Sequence, residues 1–377
     1  MTEGSSSHLQ QYSNEHQLSL KLKVPAEDNG RPVYVSGNFN QWRTRDEAYR
    51  LQQTGPGEYS FHFPKHEILP RQMEYKYHRG GWDQVEVDRY GNAVNNRKRK
   101  WNGQRTIIDR VERWLVDGKA YRPGYLPKIE VLTEDFDIPD LIKTRRIAAL
   151  LPHDYDRTDK HYPVLYLQDG QNLFDDHAPF GNWGVDKRLA LMAEQGFGDI
   201  IIVAIDHAEQ DRISEFTPSY HTQLGSGDGK RYVRFLADRL KPYVDEHFRT
   251  LPGREHTGIG GSSMGGLISI YAGLMYPEEY GKLMIFSPSL WVAPNIHFHF
   301  MDMYAPHDMR VYVYAGEGES ENMVPNIRRF MNAFENNNEA AFTFELSLDP
   351  EGAHNEARWG QEFPRAIEWL FFHQNDT

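Results

Sequence analysis

At 377 residues the chain exceeds one typical domain, and a hydrophobic share of 39% suffices for ordinary packed cores. Its 54 acidic residues outnumber 42 basic ones, and the formal net charge of −12 argues against general nucleic-acid or anionic-membrane binding. The absence of cysteine excludes disulfides, thiolate metal sites and a cysteine nucleophile.

Residues 1–16 are polar, show no basic-then-apolar leader pattern and are expected to form a disordered tail. From 17 to 112 the text is short runs of alternating polarity. Leu18-Ser19-Leu20-Lys21-Leu22-Lys23-Val24 alternates cleanly, and Val33–Val35, Glu58–Phe63 and Met73–His78 follow the same rule. Turn signals at Thr54-Gly55-Pro56-Gly57 and Arg79-Gly80-Gly81 separate them. A period of two with frequent turns predicts a small all-β, immunoglobulin-like sandwich. Inside it, the basic run Arg97-Lys98-Arg99-Lys100 reads as a solvated turn or an interdomain contact, given the acidic whole. A linker at 113–127 follows, with Asp117-Gly118 and Pro123-Gly124 inside it.

From 128 to 377 strands and helices alternate. Arg146–Leu151, Val164–Leu167 and Ile200–Ile205 are continuously apolar, as strands covered on both faces should be. Later strands are expected at Leu283–Phe286, Val311–Tyr314 and Phe342–Leu348, with helices at Val185–Gln195, Lys230–His247 and Phe363–Phe372. The pattern predicts an α/β domain with a mostly parallel sheet, whose sites belong at the carboxyl ends of the strands. No stretch approaches the length of a membrane span, so a cytoplasmic chain without membrane partners is expected.

Gly261-Ser262-Ser263-Met264-Gly265 contains Gly-x-Ser-x-Gly between an apolar run, His256–Ile259, and a helical stretch, Gly266–Met275. A serine at a sharp strand-to-helix turn is lifted out of the sheet, and the helix N-terminus favours negative charge beside it. The bland alternative is a glycine-rich turn before a core helix, so the serine needs partners. A base should follow the last strand, and His354 in Gly352-Ala353-His354-Asn355-Glu356 occupies that place. An acid should follow a strand between the two. The loop Ala315–Glu321 offers Glu319, with Glu317 and Glu321 behind it and Asp349 as an outside candidate. An oxyanion hole needs two backbone N–H groups. Met264 supplies one, and Gln171, after the tight Asp169-Gly170 turn that follows an earlier strand, is expected to supply the other.

With these residues in order, the carboxyl-terminal part resembles the putative-esterase family of α/β hydrolases, which includes enterochelin esterases, feruloyl and acetyl-xylan esterases and the esterase D type. The matching motifs are Leu167–Phe174, Lys241-Pro242-Tyr243-Val244, Gly261–Gly266, Tyr276-Pro277-Glu278, Ser287-Pro288-Ser289-Leu290-Trp291, and Gly352–Glu356 with Trp359. The resemblance implies an α/β-hydrolase domain and an acid on a Gly-x-x-Asp/Glu turn, which selects Glu319 in Gly316-Glu317-Gly318-Glu319. The amino-terminal part resembles the glycogen-binding type of carbohydrate-binding module through Val35–Trp42 and Glu74–Trp82. That resemblance implies sugar stacking at Trp42 and Trp82, with Lys76 beside them.

The expected activity is a metal-independent, cofactor-free serine carboxylesterase acting on an acylated or feruloylated saccharide, a siderophore-like ester or a small acyl ester. Trip points for selectivity are Trp291, which would shape an acyl or aromatic pocket, and Arg212, a candidate contact for an acidic or polar substrate. The alternatives are a carbohydrate-binding or scaffolding protein with a silent hydrolase domain, and an acyltransferase.

Overall fold

The computed structural model describes residues 16–26, 30–64, 68–100, 106–138, 141, 143–178, 181–299, 308–335 and 342–372. The tail expected at 1–16 lies outside them except for His16, which opens the first strand. Two compact units divide the chain, Met1–Arg122 and Pro123–Thr377.

The first unit is all-β. Its strands are β1 (His16–Lys23), β2 (Tyr34–Gly37), β3 (Gln52–Gly55), β4 (Glu58–Pro64) and β5 (Gln72–His78). They continue as β6 (Glu86–Val87), β7 (Arg97–Lys100), β8 (Thr106–Arg110) and β9 (Arg113–Trp114). A sheet of order β3-β4-β1-β8 and a sheet of order β2-β5-β7 form the sandwich, and β6 pairs with β9. All pairings are antiparallel except β1 with β8, which run parallel. The alternation read in β1 is observed: Leu18, Leu20 and Leu22 are buried in the core with Phe61, Phe63, Tyr75 and Tyr77.

The basic run differs from its expectation. It forms β7, and Arg97 donates to both oxygens of buried Glu86, from Nε to Oε1 at 3.2 Å and from Nη2 to Oε2 at 2.6 Å. Arg97 and Arg99 also reach Asp109 Oδ1, at 3.2 Å and 3.3 Å, while the Tyr75 and Tyr77 hydroxyls donate to Asp109 Oδ2. Guanidinium groups with several fixed donors satisfy buried carboxylates that would otherwise be costly, so Arg97 and Arg99 tie the run to the interior while Lys98 and Lys100 stay exposed.

The second unit is built on β10 (Lys128–Ile138), β11 (Lys143–Leu151), β12 (Val164–Gln168) and β13 (Ile201–Ile205). These are joined by β14 (Thr257–Ser262), β15 (Lys282–Phe286), β16 (Met309–Gly316) and β17 (Phe342–Asp349). The order is β10-β11-β13-β12-β14-β15-β16-β17. The first two pairings are antiparallel and the remaining five are parallel. Side chains alternate between two cores: Tyr166 lies in one while Leu165 and Leu167 lie in the other, and Ile285 opposes Met284 and Phe286 in the same way.

The helices are α1 (Val185–Gln195), the single turn α2 (Arg212–Glu215), α3 (Gly229–Phe235), α4 (Lys241–His247), α5 (Met264–Met275), α6 (Met323–Glu335) and α7 (Glu356–Ile367). Residues of α3, α4 and α5 fill one core, and residues of α1 and α7 fill the other. The last helix starts seven residues before its expected start at Phe363. The Asn355 side chain caps it by accepting from the Arg358 N–H at 3.1 Å, and Pro364 lies inside it. Among the described residues no helix is long and apolar enough to cross a membrane.

The chain is an α/β-hydrolase domain with a mostly parallel sheet, preceded by a small all-β sandwich. Its neighbours β13 and β14 flank β12 on opposite sides, so the strand order reverses there. The loops leaving the carboxyl ends of these strands therefore diverge and leave a crevice.

Candidate active site

Ser263 follows β14 directly and precedes α5, with φ 55° and ψ −120°. A side chain at such a positive φ costs about 1–3 kcal/mol and persists only where the surroundings impose it. Here the Ser263 N–H donates to the Phe286 carbonyl at 2.9 Å, while its own carbonyl accepts from Ser289 N–H at 3.0 Å. The strand, the turn and the neighbouring loop hold one residue in a conformation it would not choose. Met264 is the first residue of α5, and the first-turn N–H groups of a helix have no acceptor within it.

The acid and base loops meet through their main chains. A Cβ added at Gly316, where β16 ends, would collide with the Gly352 carbonyl, so only glycine permits this approach. His354 Nδ1–H then donates to Glu319 Oε2 at 2.7 Å. Glu319 Oε1 accepts from the Ser287 hydroxyl at 2.7 Å and from the Gly316 N–H at 2.7 Å. The Glu319 side chain is 1% exposed. Burial alone would raise its pKa, but the hydrogen bonds from His354, Ser287 and Gly316 outweigh it and hold the carboxyl below its ordinary value. The other acids stand apart: Glu317 and Glu321 are exposed, and Asp349 accepts from Tyr314 and Arg358.

Sequence reasoning missed two groups. Ser287 is fully buried at φ 44°, and its hydroxyl accepts from Trp359 Nε1 at 2.9 Å, which completes a relay Trp359–Ser287–Glu319–His354. The Trp359 ring also meets the His354 ring edge-on at 4.9 Å. Ser289 is the second: among the described residues the hydrogen-bond partner of Ser263 Oγ is Ser289 Oγ, at 3.3 Å, and no bond joins Ser263 to His354. The only signal for both lay in the motif Ser287-Pro288-Ser289, which touches the acid at one end and the nucleophile candidate at the other. Trp359→Phe keeps an aromatic ring but removes the indole N–H and its hydrogen bond, with some loss of buried volume. It is expected to lower kcat about five- to tenfold with KM unchanged, as steady-state kinetics will check.

A cavity of about 350 Å³ opens beside His354, lined by Trp291, Glu319, Ser320, Asn322, Met323 and Asn326 among others. Trp291 is 54% exposed at its wall. Gln171 lies in the 3₁₀ turn after β12, and its side-chain amide is tied to the His207 backbone in both directions, at 3.0 Å and 2.9 Å. Arg212 is engaged by Asp169 through two bonds of 2.7 Å. In the first unit, Trp42 and Trp82 stack obliquely with ring centres 6.2 Å apart, and Trp82 is 43% exposed. Lys76 is two residues before His78 on β5 and so shares its face, and the His78 ring contacts Trp82 at 5.3 Å.

As for a metal, His153, Asp154 and Asp199 bring three donor atoms within 4.8 Å of one another. They lie at the amino ends of the parallel strands, away from Ser263, and Lys160 already faces both carboxylates at 3.6 Å and 3.5 Å.

The family described as Putative esterase matches residues 140–370, more than half of the chain. Uncharacterized protein YbbA of Bacillus subtilis (strain 168) is 25% identical over 249 residues, covering 62% of this chain and 95% of that protein. The endo-1,4-beta-xylanase/feruloyl esterase of Xylanibacter ruminicola is 23% identical over 239 residues, covering 61% of this chain; the chain spans 30% of that longer protein. The crystal structure of an IroE-like serine hydrolase from Shewanella oneidensis shares the fold at a TM-score of 0.51 and 20% identity, covering 65% of this chain and 80% of that one.

Proposed function

This chain belongs to the Putative esterase family and is a carboxylic ester hydrolase, and from that premise we propose that it works through an acyl-enzyme on Ser263. The observation that carries this reading is the 2.7 Å bond between His354 Nδ1 and buried Glu319, beside a serine held at positive φ at a strand-to-helix turn. Glu319 accepts a hydrogen bond from Nδ1–H, which keeps the proton on that nitrogen and leaves the Nε2 lone pair as the base. The mechanism requires the Ser263 hydroxyl to exchange its bond to Ser289 for one to that nitrogen. Apo sites often tighten such contacts only when substrate arrives.

In the first step Ser263 Oγ bonds to the ester carbonyl carbon while His354 takes the proton. The N–H groups of Met264 and Gln171 hold the oxyanion. Collapse expels the alcohol, which receives the proton from His354. Water, deprotonated by His354, then attacks the acyl-enzyme and releases the acid.

The cavity supports neutral esters bearing an aromatic or hydroxyl-rich part. Trp291 and Met323 give apolar surface, Ser320, Asn322 and Asn326 give hydrogen bonds, and no Lys or Arg is among its lining residues. Acylated or feruloylated saccharides suit it well, with siderophore-like or small acyl esters in the same chemical range. The name of the Xylanibacter ruminicola relative, a feruloyl esterase joined to a xylanase, favours the saccharide reading. We assign a sugar-binding module to the first unit, which runs on through β9 beyond residue 112, with Trp42, Trp82 and Lys76 as its contacts, a linker to the segment after β9 and the hydrolase domain to 128–377.

The test is rapid-quench kinetics with p-nitrophenyl acetate and butyrate, with peptide mapping of any acyl adduct. A stoichiometric burst with the adduct on the Ser263 peptide is the expected result. No turnover and no adduct would instead favour a binding protein with a silent hydrolase domain, and transesterified product with added alcohols would favour acyl transfer.

A further inference from the structure

We propose that Arg212 is a positioning residue for the oxyanion hole, acting through Asp169 and not through substrate; this rests on the serine-esterase reading above. Asp169 is the first residue after β12 and sits in the left-handed region at φ 59°, ψ 49°, while only 5% exposed. A non-glycine residue keeps that conformation only when its surroundings over-determine it. Arg212 supplies that constraint, with Nε donating to Oδ1 and Nη2 to Oδ2, both at 2.7 Å.

The same carboxylate reaches the other half of the hole. A Cβ built on Gly265, in the first turn of α5, would stand 3.0 Å from Asp169 Oδ2. One side chain therefore packs against the turn that carries the Met264 N–H and also leads the loop that carries the Gln171 N–H. The Gln171 amide cannot swing the residue away, because it is bonded both ways to the His207 backbone. Its N–H precedes the first hydrogen-bonded N–H of the 3₁₀ turn, that of Asn172 to Asp169, and so has no acceptor within it.

Arg212 is itself anchored. Its helix α2 is a single turn, and the next anchor is Glu215, which accepts from Arg145 Nη2 at 2.9 Å and 2.8 Å, with both side chains at most 3% exposed. The Ser214 hydroxyl donates to Asp228 at 3.0 Å and the Asp228 N–H returns a bond to the Ser214 carbonyl at 2.8 Å. Two ion pairs, one two-pronged at Asp169 and one through a single Arg145 nitrogen shared by both Glu215 oxygens, thus link β11, through α2, to the loop after β12. An arginine whose charge is matched in this way has little left to attract an anionic substrate.

Arg212→Lys is the direct test, since an ammonium cannot reproduce a two-pronged pair. The readouts are kcat and KM for a neutral and an anionic p-nitrophenyl ester, and the affinity for a trifluoromethyl ketone whose adduct places an oxyanion in the hole. We expect kcat to fall about 100-fold on both esters with KM within threefold, and ketone affinity to fall by a similar factor. If thermal melting shows that this variant does not fold, Asp169→Asn is read instead, with the same pattern expected. A rise in KM confined to the anionic ester would overturn the proposal in favour of a substrate contact. A kcat within threefold of wild type would overturn it outright. Failure of the serine reading looks different: the wild type itself would then form neither acyl nor ketone adduct.

Discussion

Ser263→Ala is expected to reduce kcat on p-nitrophenyl butyrate by a factor on the order of 10⁴–10⁶ and to abolish both burst and adduct. The size follows from what the change leaves behind. On the proposed mechanism the N–H groups of Met264 and Gln171 would still polarise a bound ester, but no covalent route would remain, and water would have to attack unaided. Stability should barely move, because alanine accepts the same strained φ no better than serine and one 3.3 Å bond to Ser289 is lost. A variant that retained a burst at wild-type amplitude would end the nucleophile assignment.

Glu319→Gln should cost on the order of 10⁴ in kcat while KM stays nearly constant. The glutamine keeps the shape and one acceptor for Ser287 and the Gly316 N–H, yet its amide presents donors toward His354 Nδ1. The imidazole must then carry its proton on Nε2, where it cannot accept one from Ser263. The substitution also has a pH signature. The folded carboxyl lies below its ordinary value of 4.5, because the three hydrogen bonds outweigh the opposing effect of burial. Its contribution to stability is therefore complete above the unfolded value and is lost as pH falls through the folded one. Denaturant titration across that range should show the gap between wild type and variant closing toward acid. A pH-independent gap would mean that the carboxylate is not what these donors stabilise.

Much of the frame was readable from local text. Continuous apolar runs such as Ile201–Ile205 announced strands covered on both faces, and the strand–Gly-x-Ser-x-Gly–helix order announced a turn at Ser263. His354 and Glu319 could be proposed because topology restricts which loops share an edge of the sheet, and the structure does bring these two side chains together. What escaped was non-local pairing. Arg97 reads as a solvated charge until Glu86 and Asp109 are seen to converge on it, and nothing local in the sequence pairs Arg212 with Asp169, 43 residues earlier. The start of α7 was hidden because its signal is the single Asn355 cap, eight residues ahead of the apolar stretch that begins at Phe363. Ser287 escaped because nothing about a serine in a loop marks it as buried.

The strained dihedral at Ser263 bears on any reuse of this scaffold. About 1–3 kcal/mol held at one residue is a sizeable part of the 5–15 kcal/mol by which a domain usually exceeds its unfolded state. Glycine is the residue for which that backbone shape is ordinary. An engineer who wants the fold as an inert carrier can thus remove the hydroxyl proposed as nucleophile and relax the framework with one codon. One who wants to evolve new ester selectivity starts with that reserve already committed and must look elsewhere for stabilising changes.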